Sequence, residues 1–139
     1  MTKIRAAIAS AVVLTLSATV SPAQSGVFLA TGLFHGAVHK TSGRATVYQA
    51  TGGNVLRLTH FSTSNGPNLH VLLIAAADAK DDENFLTGKV ERIDLGPLKG
   101  NEGDQNYVLP AGTDLAKYKS VAIFCERFNA NFGTAPLEK

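Results

Sequence analysis

The 139 residues include one cysteine, one methionine and no tryptophan, and these shortages exclude several chemistries. A lone thiol, Cys125, cannot form an internal disulfide. Thioredoxin-like exchange and c-type haem attachment both use two cysteines separated by two residues. Iron–sulfur ligation by one chain needs several thiolates. A conventional blue-copper centre uses Cys, two His and usually an axial Met. Here the methionine is Met1, and His35, His39, His60 and His70 all precede Cys125. No Lys/Arg run is present and aromatics are not interleaved with basic residues, which argues against nucleic acid as a partner. No Gly-Lys-Ser/Thr phosphate loop and no EF-hand spacing occurs.

What is present begins with a leader. Lys3 and Arg5 form a basic start, Ala6 to Val20 is nearly uncharged, and "SPA" supplies small residues around a cleavage point after Ala23. The competing reading is a retained anchor, but the run is short and diluted by Ala, Ser and Thr. Residues 1–23 are therefore expected to be a signal peptide and 24–139 one exported domain, periplasmic or secreted, with no membrane span after cleavage. Thirteen basic residues less Lys3 and Arg5 leaves eleven, against eleven acidic ones, so the mature chain is formally neutral. About 115 residues suit a single core.

The mature segment reads as strands between turn signals, with no amphipathic helix. "NVLRLTHF" alternates, with Leu56, Leu58 and His60 on one side and Val55, Arg57, Thr59 and Phe61 on the other. "LHVLLIAA" is a continuous apolar run suited to a central strand, and "KSVAIFCERF" is a second strong one. "ATVYQA", "VERIDL" and "QNYVLP" are weaker strands bounded by Gly, Pro or Asn. This spacing predicts an all-β fold, a single antiparallel β-sandwich, immunoglobulin-like or related. Asp114, Ala116 and Tyr118 before the last strong strand are similar to a tyrosine corner, although an ordinary polar turn fits equally. Asp78, Asp81, Asp82 and Glu83 read as a solvated loop rather than a calcium site.

His60 and His70 are expected at strand positions on the edge of the core. His35 and His39 lie four apart, the only close pair for a metal site, and four clustered ligands are usual for structural zinc. An unbroken strand would place Val121, Ile123, Cys125 and Arg127 on one face. Cys125 then sits where an apolar face meets charge: reactive if wet beside Arg127, inert packing if dry.

Three blocks carry a family resemblance: "GLFHGAVHKTSGRATVY", "LRLTHFSTSNGPNLHVLL" and "LGPLKGNEGDQNYVLPAGTDLAKYKSVAIFCERFNANFGTAPL". From about Gly32 to Leu137 the chain resembles the DM-13 domain, a small exported module also described as an electron-transfer domain. The resemblance implies a redox accessory module that uses Cys125 as a bare thiol or as ligand to a prosthetic group such as haem. Arg127 would tune the thiol, and His39, at a position the family tends to fill with His, is a weaker ligand candidate. The partner implied is another redox or cell-surface protein. Against this stands a non-catalytic module binding protein or carbohydrate, with Cys125 structural. A cysteine-dependent enzyme ranks last, because no catalytic motif surrounds the thiol. Intact-mass analysis of exported protein should give a chain starting at Gln24; a full-length mass would reveal the retained anchor.

Overall fold

A computed structural model describes residues 26–80 and 90–139. The expected leader and the acidic Asp81, Asp82 and Glu83 lie outside the described residues. Those described form eight strands: β1 (Val27–Leu33), β2 (Ser42–Ala50), β3 (Gly53–Ser62), β4 (Leu69–Ile74), β5 (Arg92–Pro97), β6 (Gln105–Val108), β7 (Ser120–Cys125) and β8 (Ala130–Pro136). All pairings are antiparallel, in two four-stranded sheets ordered β1-β2-β3-β6 and β5-β4-β7-β8. This is the expected all-β sandwich. Its first sheet begins as a three-strand meander, so it is related to the immunoglobulin arrangement rather than a copy of its strand order. No helix among the described residues is long and apolar enough to cross a membrane.

Strand parity builds the core. Ala45 and Val47 of β2, Leu56 and Leu58 of β3, Val71 and Leu73 of β4, and Val121, Ile123 and Cys125 of β7 form one buried cluster. Each fully buried large side chain contributes roughly 1.5–3 kcal/mol over an exposed one. The opposite faces of β4 and β7 are covered as well. Leu72, Ile74, Ala122 and Phe124 form a second cluster under Ala76, Ala79 and Val90. Burial on both faces explains why these two strands read as continuous apolar runs.

Of the four register shifts among the strand pairs, two bring an aromatic ring into the core. Between Ser42 and Arg44 the register shifts, so that β2 advances two residues while β3 advances from Thr59 to Ser62. The extra residue on β3 lets His60 take a φ of 50°. His60 is exposed and its amide donates to Asp104 Oδ1 at 2.9 Å. Phe61 thereby joins the core with Leu56 and Leu58 instead of lying on the opposite face. Gly43 sits opposite with a φ of 109°, and a Cβ there would meet His60 O, Thr59 O and Phe61 Cα at 2.8 Å. A second bulge lies in β8 between Asn131 and Gly133, adding Phe132, which is 1% exposed.

The strands β1 and β8, which the sequence pattern does not announce, close one edge of the sandwich. Thr31 and Glu138 exchange both backbone hydrogen bonds at 2.8 Å, and His35 and Thr134 exchange theirs at 2.9 Å. Within the β1–β2 connection, Thr41 Oγ1 donates to the Phe132 carbonyl at 2.8 Å. Gly133 has no room for a side chain, because its Cβ would meet Thr41 Cβ at 2.4 Å. The backbones are held together by small residues and polar ties, so neither strand shows hydrophobic periodicity.

The Asp114 turn is a local one: Asp114 O accepts from the amides of Lys117 and Tyr118, and Asp114 Oδ1 accepts from the Ala116 amide. Lys117, and to a lesser extent the Tyr118 hydroxyl, hold the Glu91 carboxyl below its usual range.

The Gly-rich loop between β5 and β6 is a clip. Tyr107, 3% exposed, accepts the Lys99 amide at 2.8 Å and donates to Gln105 Oε1. Gln105 Nε2 in turn donates to Gly100 O at 2.9 Å. Tyr107→Phe should cost about 1–3 kcal/mol in urea unfolding at neutral pH, because it strands the Lys99 donor and leaves Gln105 Oε1 only the Gly100 amide at 3.3 Å. Burial raises the phenol above its usual 10.0, with the Lys99 hydrogen bond opposing. The unfolded chain thus loses this proton first, and stability falls as pH rises through that interval. The Phe variant should lack that part of the alkaline loss; a wild-type midpoint at neutral pH would contradict the clip.

Candidate functional site

Cys125 is the last residue of β7, paired with Leu69 of β4 and Ala130 of β8. It is 0% exposed and belongs to the core cluster with both of them. The strand stops here because residues 126–129 turn the chain into β8, with Asn129 at a φ of 50° and its amide donating to Glu126 O at 3.3 Å. Asn accepts this left-handed conformation more readily than most residues.

The turn changes the expected relation between Cys125 and Arg127. Val121, Ile123 and Cys125 share one face as expected, and the structure turns that face inward; the alternation ends before Arg127, which is exposed in the turn beside exposed Phe128. Arg127 does not continue the face that carries the thiol. A sulfur surrounded by apolar side chains acts as a small hydrophobe, since reactivity requires a stabilised and accessible thiolate.

His39 lies in the β1–β2 connection, its ring stacked on Phe132 with centroids 3.7 Å apart and planes 2° apart. Its carbonyl accepts the Ser64 hydroxyl at 2.6 Å. The ring thus covers the β8 bulge. His35 turns elsewhere, its Nε2 meeting Asp78 Oδ1 at 2.6 Å. The spacing of four therefore does not gather His35 and His39 at one ligand point.

A different cluster does converge. Among the described residues, His70, Asp94 and Glu126 bring potential ligand atoms within 4.8 Å of one another. His70 Nδ1 lies 2.9 Å from Asp94 Oδ2, and Nε2 lies 3.2 Å from Asn68 Oδ1 and 3.8 Å from Glu126 Oε2. Asn68 Nδ2 donates to Glu126 Oε2 at 3.1 Å. The first two residues come from neighbouring strands β4 and β5, while Glu126 follows β7. Sequence spacing held no signal for this group, because sheet order alone gathers it.

Across residues 33–137 the chain matches the family model for the electron transfer DM13 domain. The chain belongs to the DM13 family. No curated protein and no solved structure matches it. The matched span includes the whole sandwich from the end of β1 onward, with Cys125 and His39 inside it. Several signature residues of this DM13 chain serve the fold: Tyr107 and Gln105 hold the loop, and Gly133 admits Thr41.

A thiolate-bound haem needs open space over the sulfur. In this DM13 domain Cys125 is sealed, and the clefts at the β1–β8 edge are lined by other residues, including Phe28, Leu33, Leu115 and Leu137. The closed sandwich therefore does not fit Cys125 as a haem ligand. Cys125→Ser should be less stable than Cys125→Ala in urea titrations, because it buries a hydroxyl at a cost of about 1–3 kcal/mol. Equal midpoints would show that the position is wetter than its packing indicates.

Proposed function

We propose that this DM13 protein is an extracytoplasmic redox accessory module whose electron-transfer group is the Cys125 thiol, reached by opening of the turn between β7 and β8. The observation that carries this reading is membership of an electron-transfer family across residues 33–137, with the chain's single cysteine inside that span. The position of Cys125 supports a gated thiol. It lies at the end of its strand, one residue from an exposed turn, so local opening there uncovers it without dismantling the centre of the sheet. Arg127, carried by that turn, would then stand near the thiol and favour its ionised form. The electron acceptor would be another redox or cell-surface protein docking at that end.

A second reading draws on one specific observation, the complete burial of Cys125. In it the domain is a non-catalytic module that binds protein or carbohydrate, and the cysteine only packs.

One experiment separates the two. Mature protein treated with ferricyanide should consume about one equivalent per thiol, each thiol giving up one electron and one proton as the sulfurs of two chains join in a disulfide and ferrocyanide forms, and Cys125→Ala should consume none. Asn129→Ala, which strains the turn, should raise the oxidation rate several-fold. Oxidation that begins only in denaturing urea, with no effect of Asn129→Ala, would remove the gated thiol and leave the binding module.

A further inference from the structure

The cluster at the open end of β4 lies outside the core that holds Cys125. We propose that His70, Glu126 and Asn68 form a binding site for a borderline divalent metal ion of the zinc or copper type, with Asp94 as a positioning residue.

The argument starts from Asp94. Its Oδ1 accepts the Gly96 amide at 2.8 Å, and its two oxygens lie 3.0 and 2.9 Å from His70 Nδ1. A carboxylate only accepts, so Nδ1 must carry a hydrogen. In the neutral ring, Nε2 is then a bare lone pair. That lone pair faces two more electron-rich atoms, Asn68 Oδ1 at 3.2 Å and Glu126 Oε2 at 3.8 Å. Rotating the Asn68 amide does not relieve this, since its Nδ2 already serves Glu126 at 3.1 Å and a flip would turn oxygen onto that carboxylate.

Two oxygens facing one imidazole lone pair call for a donor or a positive centre between them: a water hydrogen, a second ring proton or a metal ion. The spacing suits a metal. Zn–N and Zn–O bonds of about 2.0–2.2 Å at near-tetrahedral angles put ligand atoms about 3.3–3.6 Å apart, and the two separations from Nε2, 3.2 and 3.8 Å, bracket that range. An imidazole ligand with its other nitrogen held by a carboxylate is also the usual way a metal-binding histidine is oriented. One imidazole nitrogen with a carboxylate and an amide oxygen favours zinc or copper over magnesium or calcium, which prefer all-oxygen sets.

Burial is graded in the same sense. The His70 side chain is 15% exposed, whereas Asp94 and Glu126 are 42% and 44% exposed. The nitrogen is thus fixed, and Glu126 can adjust from its turn. Three protein ligands leave a coordination position open toward solvent, available to water or to a side chain of a docking partner. This assignment does not depend on the redox reading of Cys125.

The test is calorimetric titration of the mature protein with ZnCl2 at pH 7.5. One saturating ion per chain is expected. His70→Ala and Glu126→Gln should each weaken binding at least tenfold, and Asp94→Asn by about tenfold or more through loss of ring orientation. His35→Ala, at the other imidazole–carboxylate pair, should bind as wild type. Imidazole nitrogen NMR should show the His70 Nε2 resonance shifting on zinc addition. Circular dichroism checks that the variants fold, and Glu126→Gln, an exposed turn substitution, carries the test if His70→Ala does not. Absence of saturable one-to-one uptake would overturn the proposal. Uptake unchanged in Glu126→Gln would overturn it equally.

Discussion

The antiparallel pairing of β4 with β7 is the constraint on which the rest of the molecule depends. Six residue pairs, from Leu69 opposite Cys125 to Ile74 opposite Ser120, lock two strands that are buried on both faces. A slip of one residue would exchange every inward side chain for an outward one. Parity therefore sends Cys125 into the core and Phe124 to the second cluster. The same pairing forces polar residues out to the strand ends, where His70, Asn68 and Glu126 meet. The sealed thiol and the polar cluster are two consequences of one register.

Around that pair, the sandwich uses local irregularity to reconcile sequence with shape. At His60 an added residue spares an imidazole from burial and delivers Phe61 to the core, where it meets Phe34 edge-on at 5.3 Å. At Phe132 another added residue leaves a ring inside that His39 covers. Each bulge is held from outside its own strand, by Gly43 and Asp104 in one case and by Thr41 in the other. Such irregularities persist because surrounding contacts determine them.

Family signature and chemistry separate in this protein. The block from Leu95 to Leu137 is the most specific part of the resemblance, yet Gln105, Tyr107, Asp114 and Gly133 serve loops, turns and close backbone contacts. A pattern of Gly, Asn and Tyr at fixed offsets records turn geometry as readily as it records a site. Cys125 is the exception whose placement bears on function, and its burial turns a question about reactivity into one about opening. The polar cluster at the end of β4 belongs to neither group: Asn68, His70 and Glu126 lie inside the quoted blocks, but no motif joins them to one another or to Asp94.

Much was legible in the residues themselves. Two-residue alternation and glycine- or proline-bounded segments gave the all-β class and six of the strands, because the period of a strand is local and sterically fixed. Residue counting excluded disulfide, iron–sulfur and conventional copper chemistry, since stoichiometry needs no fold. That Val121, Ile123 and Cys125 share one face also followed from parity. The strands β1 and β8 escaped because Gly, Thr, Ala and Asn mark backbone proximity rather than hydrophobic period. The face of Phe61 escaped because a bulge depends on the opposing strand, and the fate of Arg127 because a turn ended the alternation. The dryness of the thiol and the meeting of His70 with Asp94 and Glu126 depend on contacts between residues far apart along the chain. Sequence by itself determined the strand chemistry and the inventory of reactive groups; only sheet order and packing decided which of them face water and which face one another.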